Sequence, residues 1–245
     1  MGILRTDRVS GLGGANAIKG SVSFNNNAGD SKGGYLKVNL DSSNRSNFDF
    51  DGDFTIECWV FKSKSTISGE YDGLLYISHD WRFKWQQSDK IMYYDNGTDA
   101  QFMNYNTNEG FLDNNWHHLA IVRSSNTITG YVDGTSYGTA SESGDFDPGS
   151  NTELRIGNNV VGFGGNISNL RIVKGTAVYT GNFTPPTSEL TAIDGTVLLC
   201  CQSPGNVLQE ATGNYVVESV LYPGVTADSK PPSSSHFTPN SPVGF

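Results

Sequence analysis

The stretch GDFTIECWVF, from Gly52 to Phe61, decides the fold of this chain. Its side chains fall into two alternating sets: Phe54, Ile56, Cys58 and Val60 form one, and Thr55, Glu57, Trp59 and Phe61 form the other. Because successive side chains of a strand point to opposite faces, the first set can fill a core. Glu57 predicts that the second face is not fully buried, since an unpaired buried carboxylate is costly. The pattern indicates a central strand of a β-sandwich.

Further strands are expected on both sides of this stretch. WHHLAIVR, from Trp116 to Arg123, predicts its partner strand, and LLYIS, RFKWQQ and IMYYD predict successive antiparallel strands. Asp133-Gly134 and Asn96-Gly97 predict two-residue hairpins, since both central positions of such a turn need positive φ. Gly is abundant at 29 residues and only 17% of residues are charged. Together these features predict an all-β protein, an antiparallel β-sandwich without long helices.

Changes in composition divide the chain into three parts. Residues 1–20 are polar and Gly-rich and predict an extended N-terminal arm. Residues 21–222 carry the predicted strands and form one domain. Residues 223–245 are rich in Pro and Ser and predict a C-terminal tail with extended or flexible backbone.

Charge and apolar runs exclude several classes of function. The net charge is −9 and the Lys and Arg residues are scattered, which opposes nucleic-acid binding. No apolar run approaches the roughly 18 to 20 residues that a membrane span needs, so no membrane insertion is expected. The three cysteines, Cys58, Cys200 and Cys201, have no repeated spacing and predict reduced core residues rather than a disulfide framework.

The order of several motifs resembles laminin G-like domains. GDFTIECWVF is followed by NNWHHLAIVR, the YVDG hairpin, and LRIG with GNISNLRIVKG. Laminin G-like domains belong to the concanavalin A-like lectin/glucanase jelly rolls, and the resemblance covers about residues 21–202. It implies that the sandwich is a concanavalin A-like jelly roll.

A narrower resemblance concerns the two ends of this region. LRTDRVSGLGGANAIKGSVSF and LRIVKGTAVYTGNFTPPTSELTAIDGTVLLCCQ resemble jelly-roll proteins of marine tailed phages, cyanophages in particular. This resemblance implies a structural virion protein, such as a head decoration, fibre, knob or tail appendage, made in the host cytoplasm and located in the virion. The implied partners are other virion proteins (capsid, portal or tail), further copies of the chain in a homo-oligomer, and a host-surface glycan.

Attachment to the particle is expected through the terminal segments, which would become ordered on a partner's surface. Many copies on a symmetric particle would raise the affinity. The candidate anchoring residues are Leu4, Arg5 and Arg8 near the start of the chain and Phe237 near its end.

Catalysis is not expected. Retaining glycosidases need two carboxylates about 5 Å apart, and the nearest candidate, Glu70-Tyr71-Asp72, lacks a third acid at alternate spacing. Glu57 is the lone carboxylate of its strand. The cysteines sit in apolar runs with no base placed beside them, and no Gly cluster leads into a helix as in a phosphate-binding loop. A divergent glucanase therefore ranks behind the non-enzymatic hypotheses.

No metal or other cofactor is expected either. His117 and His118 are adjacent, so in a strand they point to opposite faces and cannot chelate one ion together. One of them is predicted at the edge of the core and the other is predicted to be exposed. No DxDxDG-type calcium loop occurs in the chain.

Aromatic residues provide a candidate carbohydrate site. Sugars stack their apolar faces on exposed aromatic rings, and Trp81, Phe83 and Trp85 alternate along one predicted strand. Phe83 and Trp85 are expected in the core. Trp81 is expected to be exposed at a strand end beside Asp80, with Tyr93 on the next strand. These three candidates support a second hypothesis, a free, lectin-like carbohydrate-binding module.

Overall fold

The computed structural model describes residues 17–24, 34–62, 71–78, 81–86, 91–95, 99–105, 111, 113–159, 161–220, 225–229 and 232. Within these strands, the side chains of residues 71–72, 78, 86, 91–95, 99, 158–159 and 161 lie outside the description. The described residues form antiparallel strands in two large sheets. None of the described helices is long and apolar enough to cross a membrane.

The first sheet has eight strands, which in spatial order are β10 (Thr135–Ser141), β9 (Thr127–Val132), β8 (Trp116–Ser124), β3 (Phe54–Phe61), β14 (Gly165–Lys174), β1 (Ser21–Phe24) and β17 (Val225–Asp228). The eighth strand, β15 (Thr196–Cys200), also pairs with β14. Its partners Leu170 to Val173 lie beyond the part of β14 that pairs with β1.

The second sheet has seven strands, in the order β16 (Val217–Val220), β2 (Tyr35–Asn39), β11 (Glu153–Ile156), β4 (Tyr71–Ser78), β5 (Trp81–Gln86), β6 (Ile91–Asp95) and β7 (Asp99–Asn104). Two short strands, β12 (Asn158–Asn159) and β13 (Val161–Gly162), pair with each other, and Arg45–Phe48 forms one 3-10 turn. The predicted all-β antiparallel architecture is confirmed.

The core lies between the inner faces of the two sheets and is rich in aromatic rings. Phe50 stacks on Phe54 with ring centroids 4.9 Å apart, and Phe83 stacks on Phe146 at 5.6 Å. All four side chains are fully buried. Phe54 and Phe83 occupy inward positions of their strands, as alternation predicts, whereas Phe50 and Phe146 pair with each other outside the strands.

The predicted centre of the sandwich is confirmed. β3 pairs along its whole length with β8, from Phe54 opposite Arg123 to Phe61 opposite Trp116, and pairs on its other side with β14. The predicted Asp133-Gly134 hairpin joins β9 to β10, with φ of 50° and 75° at the two turn residues. β6 and β7 pair as the Asn96-Gly97 prediction requires, although residues 96–98 themselves lie outside the described residues.

The outer face of β3 differs from its prediction. Glu57 and Trp59 are as buried as the inward residues, so the expectation of exposure around Glu57 is wrong, and only Phe61 at the end of this face is partly exposed. Residues 175–191, here called the strap, cross this face, and the Tyr179 hydroxyl donates a hydrogen bond to Glu57. Ile18 and Trp116 pack against Trp59. The strap also meets the β9–β10 hairpin, where Phe183 N donates to Gly134 O at 2.9 Å.

The ends of the described chain are part of the body. Ala17 pairs with Ser188 of the strap, and Ile18 is buried. β17 pairs with β1 in the first sheet, although it lies within the predicted C-terminal tail. Val225–Asp228, within the predicted tail, therefore form an edge strand of the first sheet.

Arg123 supports one end of the sandwich from inside. It is 1% exposed, and its guanidinium donates to the carbonyl oxygens of Gly52, Gly144 and Phe50 at 2.6–2.7 Å. It thereby connects the segment before β3 to the loop after β10.

We expect Arg123→Met to destabilise the fold by about 2–4 kcal/mol while the side-chain volume is largely kept. The carbonyl groups of Gly52 and Gly144 lose the Arg123 donor, and that of Phe50 keeps only the N–H of Phe146. Urea denaturation measures the change. Arg45→Met is the matched control: Arg45 donates to a single carbonyl, that of Asn151, and its loss should cost less than about 1 kcal/mol. Equal losses in the two variants would contradict this account.

Candidate functional site

Trp81 does not lie where the sequence predicts it. It is fully buried, its indole Nε1 donates to Phe48 O at 2.8 Å, and its ring packs against Phe50 and Phe83. The expectation of an exposed Trp81 is wrong because the strand end is covered by the chain around Phe48. A sugar cannot reach this ring.

Most other predicted site residues lie outside the described part of the chain. This holds for Asp80 and for the candidate anchors Leu4, Arg5, Arg8 and Phe237. Tyr93 belongs to β6, where its backbone pairs with Lys84, but its side chain is not described. For the candidate acids, Glu70 is not described, whereas Asp72 lies in strand β4 rather than in a loop.

A buried polar cluster surrounds Glu57 beneath the strap. Arg171 Nε and Nη2 donate to Glu57 Oε1 at 2.9 and 2.5 Å. The Tyr179 hydroxyl and His118 Nε2 donate to Oε2 at 2.8 and 3.2 Å. Glu57 and His118 are fully buried. Each carboxylate oxygen is thus occupied by donors.

The charge of Glu57 is kept by these donors. Burial alone would raise the pKa of Glu57, but the hydrogen bond and charge of His118 and the charge of Arg171 lower the pKa below its usual value. Burial and the neighbouring Glu57 carboxylate raise the pKa of Tyr179, which keeps its hydroxyl a donor. The cluster is an internal ion pair, and a substrate has no access to it.

Sequence reasoning missed this cluster, although a signal was present. Arg171 lies opposite Glu57 in the β3–β14 register, and both residues belong to predicted strands. Opposite charges at directly paired positions of two neighbouring strands indicate a cross-strand ion pair.

Both histidines of β8 are buried, contrary to the expectation that one is exposed. His118 lies under the strap, whereas His117 points the other way and is held between two carboxylates. His117 Nδ1 lies 2.7 Å from Asp133 Oδ2, and Nε2 lies 3.1 Å from both oxygens of Asp113. Two carboxylate acceptors need both ring N–H groups, so this geometry favours the imidazolium.

The pKa of His117 follows from this geometry. Burial opposes the charged form, but the hydrogen bond and charge of Asp133, assisted by Asp113, outweigh burial and raise the pKa of His117 above its usual 6.5. Through Asp133 and Asp113, His117 connects the turn between β9 and β10 to the loop before β8.

The outer face of the second sheet offers a different kind of surface. Tyr35 of β2 and Tyr76 of β4 are half-buried, and the Arg155 guanidinium of β11 lies between them. Its central carbon is 5.1 Å from the ring centroid of Tyr35 and 5.4 Å from that of Tyr76. Two tyrosine rings and one cation are therefore held together on an accessible sheet face.

Polar groups surround this stack. Arg155 Nε donates to Glu153 at 2.6 Å, and Lys37 Nζ lies 3.3 Å from Glu218 Oε2. The sequence signal for this face is the alternation of YLKVNL, which places Tyr35, Lys37 and Asn39 on the side away from the core. We call Tyr35, Lys37, Tyr76 and Arg155 the tyrosine–cation face.

Metal binding finds no support in the described residues. Within them, no three or more His, Cys, Asp or Glu side chains come together in a way that could hold a metal ion.

We expect Glu57→Gln to lower the free energy of unfolding by about 3–5 kcal/mol, because Arg171 stays buried without its counter-charge. Chemical denaturation at neutral pH measures the loss. Glu218→Gln, whose side chain is 45% exposed beside Lys37, is the control and should cost about 0–1 kcal/mol. A stable Glu57→Gln protein would show that the strap does not depend on this charge.

His117 predicts a pH dependence of stability. Because the folded pKa is raised, the stabilisation by His117 is fully present below pH 6.5 and is lost as the pH rises through the folded pKa. Unfolding free energies measured from pH 6 upward should therefore fall less steeply in His117→Gln than in the wild type. Identical slopes would contradict the assignment.

Comparisons with known proteins agree with the architecture. A putative carbohydrate binding protein from Bacteroides ovatus is 17% identical, with a TM-score of 0.64; the match covers 87% of this chain and 60% of that one. A native heptameric SAP-like pentraxin from Limulus polyphemus is 13% identical, with a TM-score of 0.53, covering 86% of this chain and 95% of that one. At these identities the similarity establishes the fold alone. A search of curated protein sequences gives no match.

Family membership follows from the sequence match. The family model Laminin_G_3, described as Concanavalin A-like lectin/glucanases superfamily, matches residues 30–177. The match includes β2 to β14, and therefore the central strand pair and most of the second sheet. Because it takes in more than half of the 245 residues, the chain belongs to this laminin G-like family of the concanavalin A-like superfamily.

Proposed function

We propose that this chain is a non-catalytic, lectin-like module that binds carbohydrate on the outer face of its second sheet. The observation that carries the proposal is the Tyr35–Arg155–Tyr76 stack of the tyrosine–cation face. Aromatic rings stack on the apolar faces of sugars, while neighbouring polar groups bind the hydroxyls.

The stack is suited to binding because its parts are already ordered. Each ring contacts the Arg155 guanidinium, whose Nε also donates to Glu153 at the sheet surface. Little side-chain entropy remains to be lost when a ligand arrives, so more of the contact energy appears as affinity. Asn39 and Lys37 lie on the same strand face as Tyr35 and supply hydrogen-bond donors.

The two outer faces of the sandwich differ in this respect. On the first sheet, the strap covers the outer face, with Tyr179 stacked on Phe183 at 3.6 Å above the buried His118. On the second sheet, Tyr35, Tyr76 and Arg155 keep part of their surface accessible. We therefore place the ligand on the second sheet.

A non-catalytic role is supported by the state of Glu57. Its two oxygens accept hydrogen bonds from Arg171, His118 and Tyr179, so this carboxylate cannot act as an acid or a nucleophile towards a sugar. The Bacteroides ovatus protein that shares the fold is itself described as a putative carbohydrate binding protein.

The role in a phage virion remains the finer hypothesis. It is supported by the resemblance of LRTDRVSGLGGANAIKGSVSF and of the strap sequence to phage jelly-roll proteins. In this proposal the module is a homo-oligomeric head or tail component, and the sheet face contacts a host-surface glycan.

Replacement of the tyrosines tests the binding face. Tyr35→Ala and Tyr76→Ala should each weaken glycan binding about 3- to 10-fold, because a stacking partner is lost. Glycan-array signals, followed by titration calorimetry of the strongest ligand, measure the effect. Tyr35→Phe and Tyr76→Phe keep the rings and should bind within about twofold of the wild type. A wild-type protein that binds no glycan would refute the proposal.

The virion role has a separate test. Mass spectrometry of gradient-purified particles from an infected culture should detect the chain in constant proportion to the major capsid protein. Its consistent absence from clean particles would rule out the virion role and leave the carbohydrate-binding proposal intact.

A further inference from the structure

We infer that the ligand of the tyrosine–cation face is a polysaccharide that carries carboxylates, a polyuronate, and that it lies across the strands rather than along them. This inference rests on the proposed carbohydrate-binding function and adds the chemical class of the ligand. The observation behind it is a row of basic residues that crosses the second sheet.

The row is defined by the strand register. Lys37 of β2 lies opposite Arg155 of β11, which lies opposite Tyr76 of β4, which in turn lies opposite Arg82 of β5. Directly opposite residues of antiparallel strands point to the same face of the sheet. Three cations and one tyrosine thus form a single line perpendicular to the strands, which ends at Glu218 of β16, opposite Lys37, and at Asp95 of β6, opposite Arg82. Tyr35 flanks this line.

The dimensions of the row favour a polymer. Neighbouring strands lie about 4.8 Å apart, so Lys37 and Arg82 are separated by roughly 14 Å across the sheet. This distance exceeds the width of one sugar ring. Charged groups repeated along a chain can therefore meet several cations at once, whereas a single sugar acid would meet one.

The chain's own acids show which anion these cations accept. Glu153 contacts Arg155, and Glu218 contacts Lys37, so carboxylates already occupy both basic residues at the surface. The side chains are 23–45% exposed, and ion pairs at such sites contribute little. A ligand carboxylate can take the place of Glu153 at low cost and pair with the planar guanidinium in two-point geometry.

The net charge of −9 does not oppose this binding at physiological salt. Screening limits the interaction of exposed charges to about 8 Å, so the ligand responds mainly to the cations of the row and to the acids that contact them, Glu153 and Glu218, which its own carboxylates replace. The acidic remainder of the surface repels polyanions elsewhere and confines them to the row.

The test measures binding of the full chain to the polyuronates alginate and polygalacturonate in 0.15 M salt. Laminarin serves as the uncharged comparison and dextran sulfate as the sulfated one. We expect a polyuronate to bind about tenfold more tightly than laminarin, and more tightly than dextran sulfate. Arg155→Met and Lys37→Met should each weaken polyuronate binding about 5- to 10-fold, whereas Arg155→Lys should lose less. Thermal unfolding confirms that each variant is folded.

Two further variants separate ligand contact from a structural effect. Glu153→Gln should strengthen polyuronate binding about two- to fivefold, because Arg155 no longer has an internal competitor. Lys19→Met removes a cation near Glu189 of the strap, on the opposite side of the sandwich, and should change nothing.

The possible outcomes distinguish this inference from the proposed function. Equal binding of laminarin and polyuronate, lost in Tyr35→Ala but kept in Arg155→Met, would overturn the inference and leave the binding face in place. Preference for dextran sulfate would also overturn it, since the row would then respond to sulfate. Binding of no polysaccharide at all would refute the proposed function together with the inference.

Discussion

The ion pair between Glu57 and Arg171 is the interaction on which the closed side of the molecule depends. β3 lies in the middle of the first sheet. A buried carboxylate at its centre would strongly destabilise the fold if no counter-charge compensated its loss of hydration. Arg171 supplies that charge from the neighbouring strand, and Tyr179 extends the contact to the strap. One sheet face is covered in this way, and the outer face of the second sheet keeps accessible side chains, where we propose that the ligand binds.

The polar groups of the two faces therefore have different tasks. Around Glu57 and His118, the polar groups are fully buried, and a buried group without a hydrogen-bond partner lowers the stability of the fold. The hydrogen bonds of this cluster therefore contribute to stability. Around Arg155, the partners are exposed, and exchanging one of them for a ligand costs little. Chemically similar side chains thus serve stability on one side of the sandwich and, in our proposal, recognition on the other.

Sequence reasoning predicted the fold better than the site. Strict alternation in residues 54–61 and the Asp133-Gly134 turn depend on local geometry, which the sequence carries directly. Trp81 was wrongly predicted to be exposed, because its burial depends on the chain near Phe48, which is distant in sequence. The burial of Glu57 was not predicted because the residue that covers it, Tyr179, lies 122 residues downstream in an irregular segment, and such segments have no periodicity to detect.

The pairing of the last strands with the first has a consequence for biosynthesis. β17 completes the edge beside β1, and β16 pairs with β2, so residues near the two ends of the chain meet in both sheets. Contacts of such long sequence separation form slowly and only after the C-terminal strands have been made. A nascent or prematurely terminated chain carries β1 and β2 with open edges, which favour association with other chains. The sandwich can therefore close only after residues 217–228 have been synthesised.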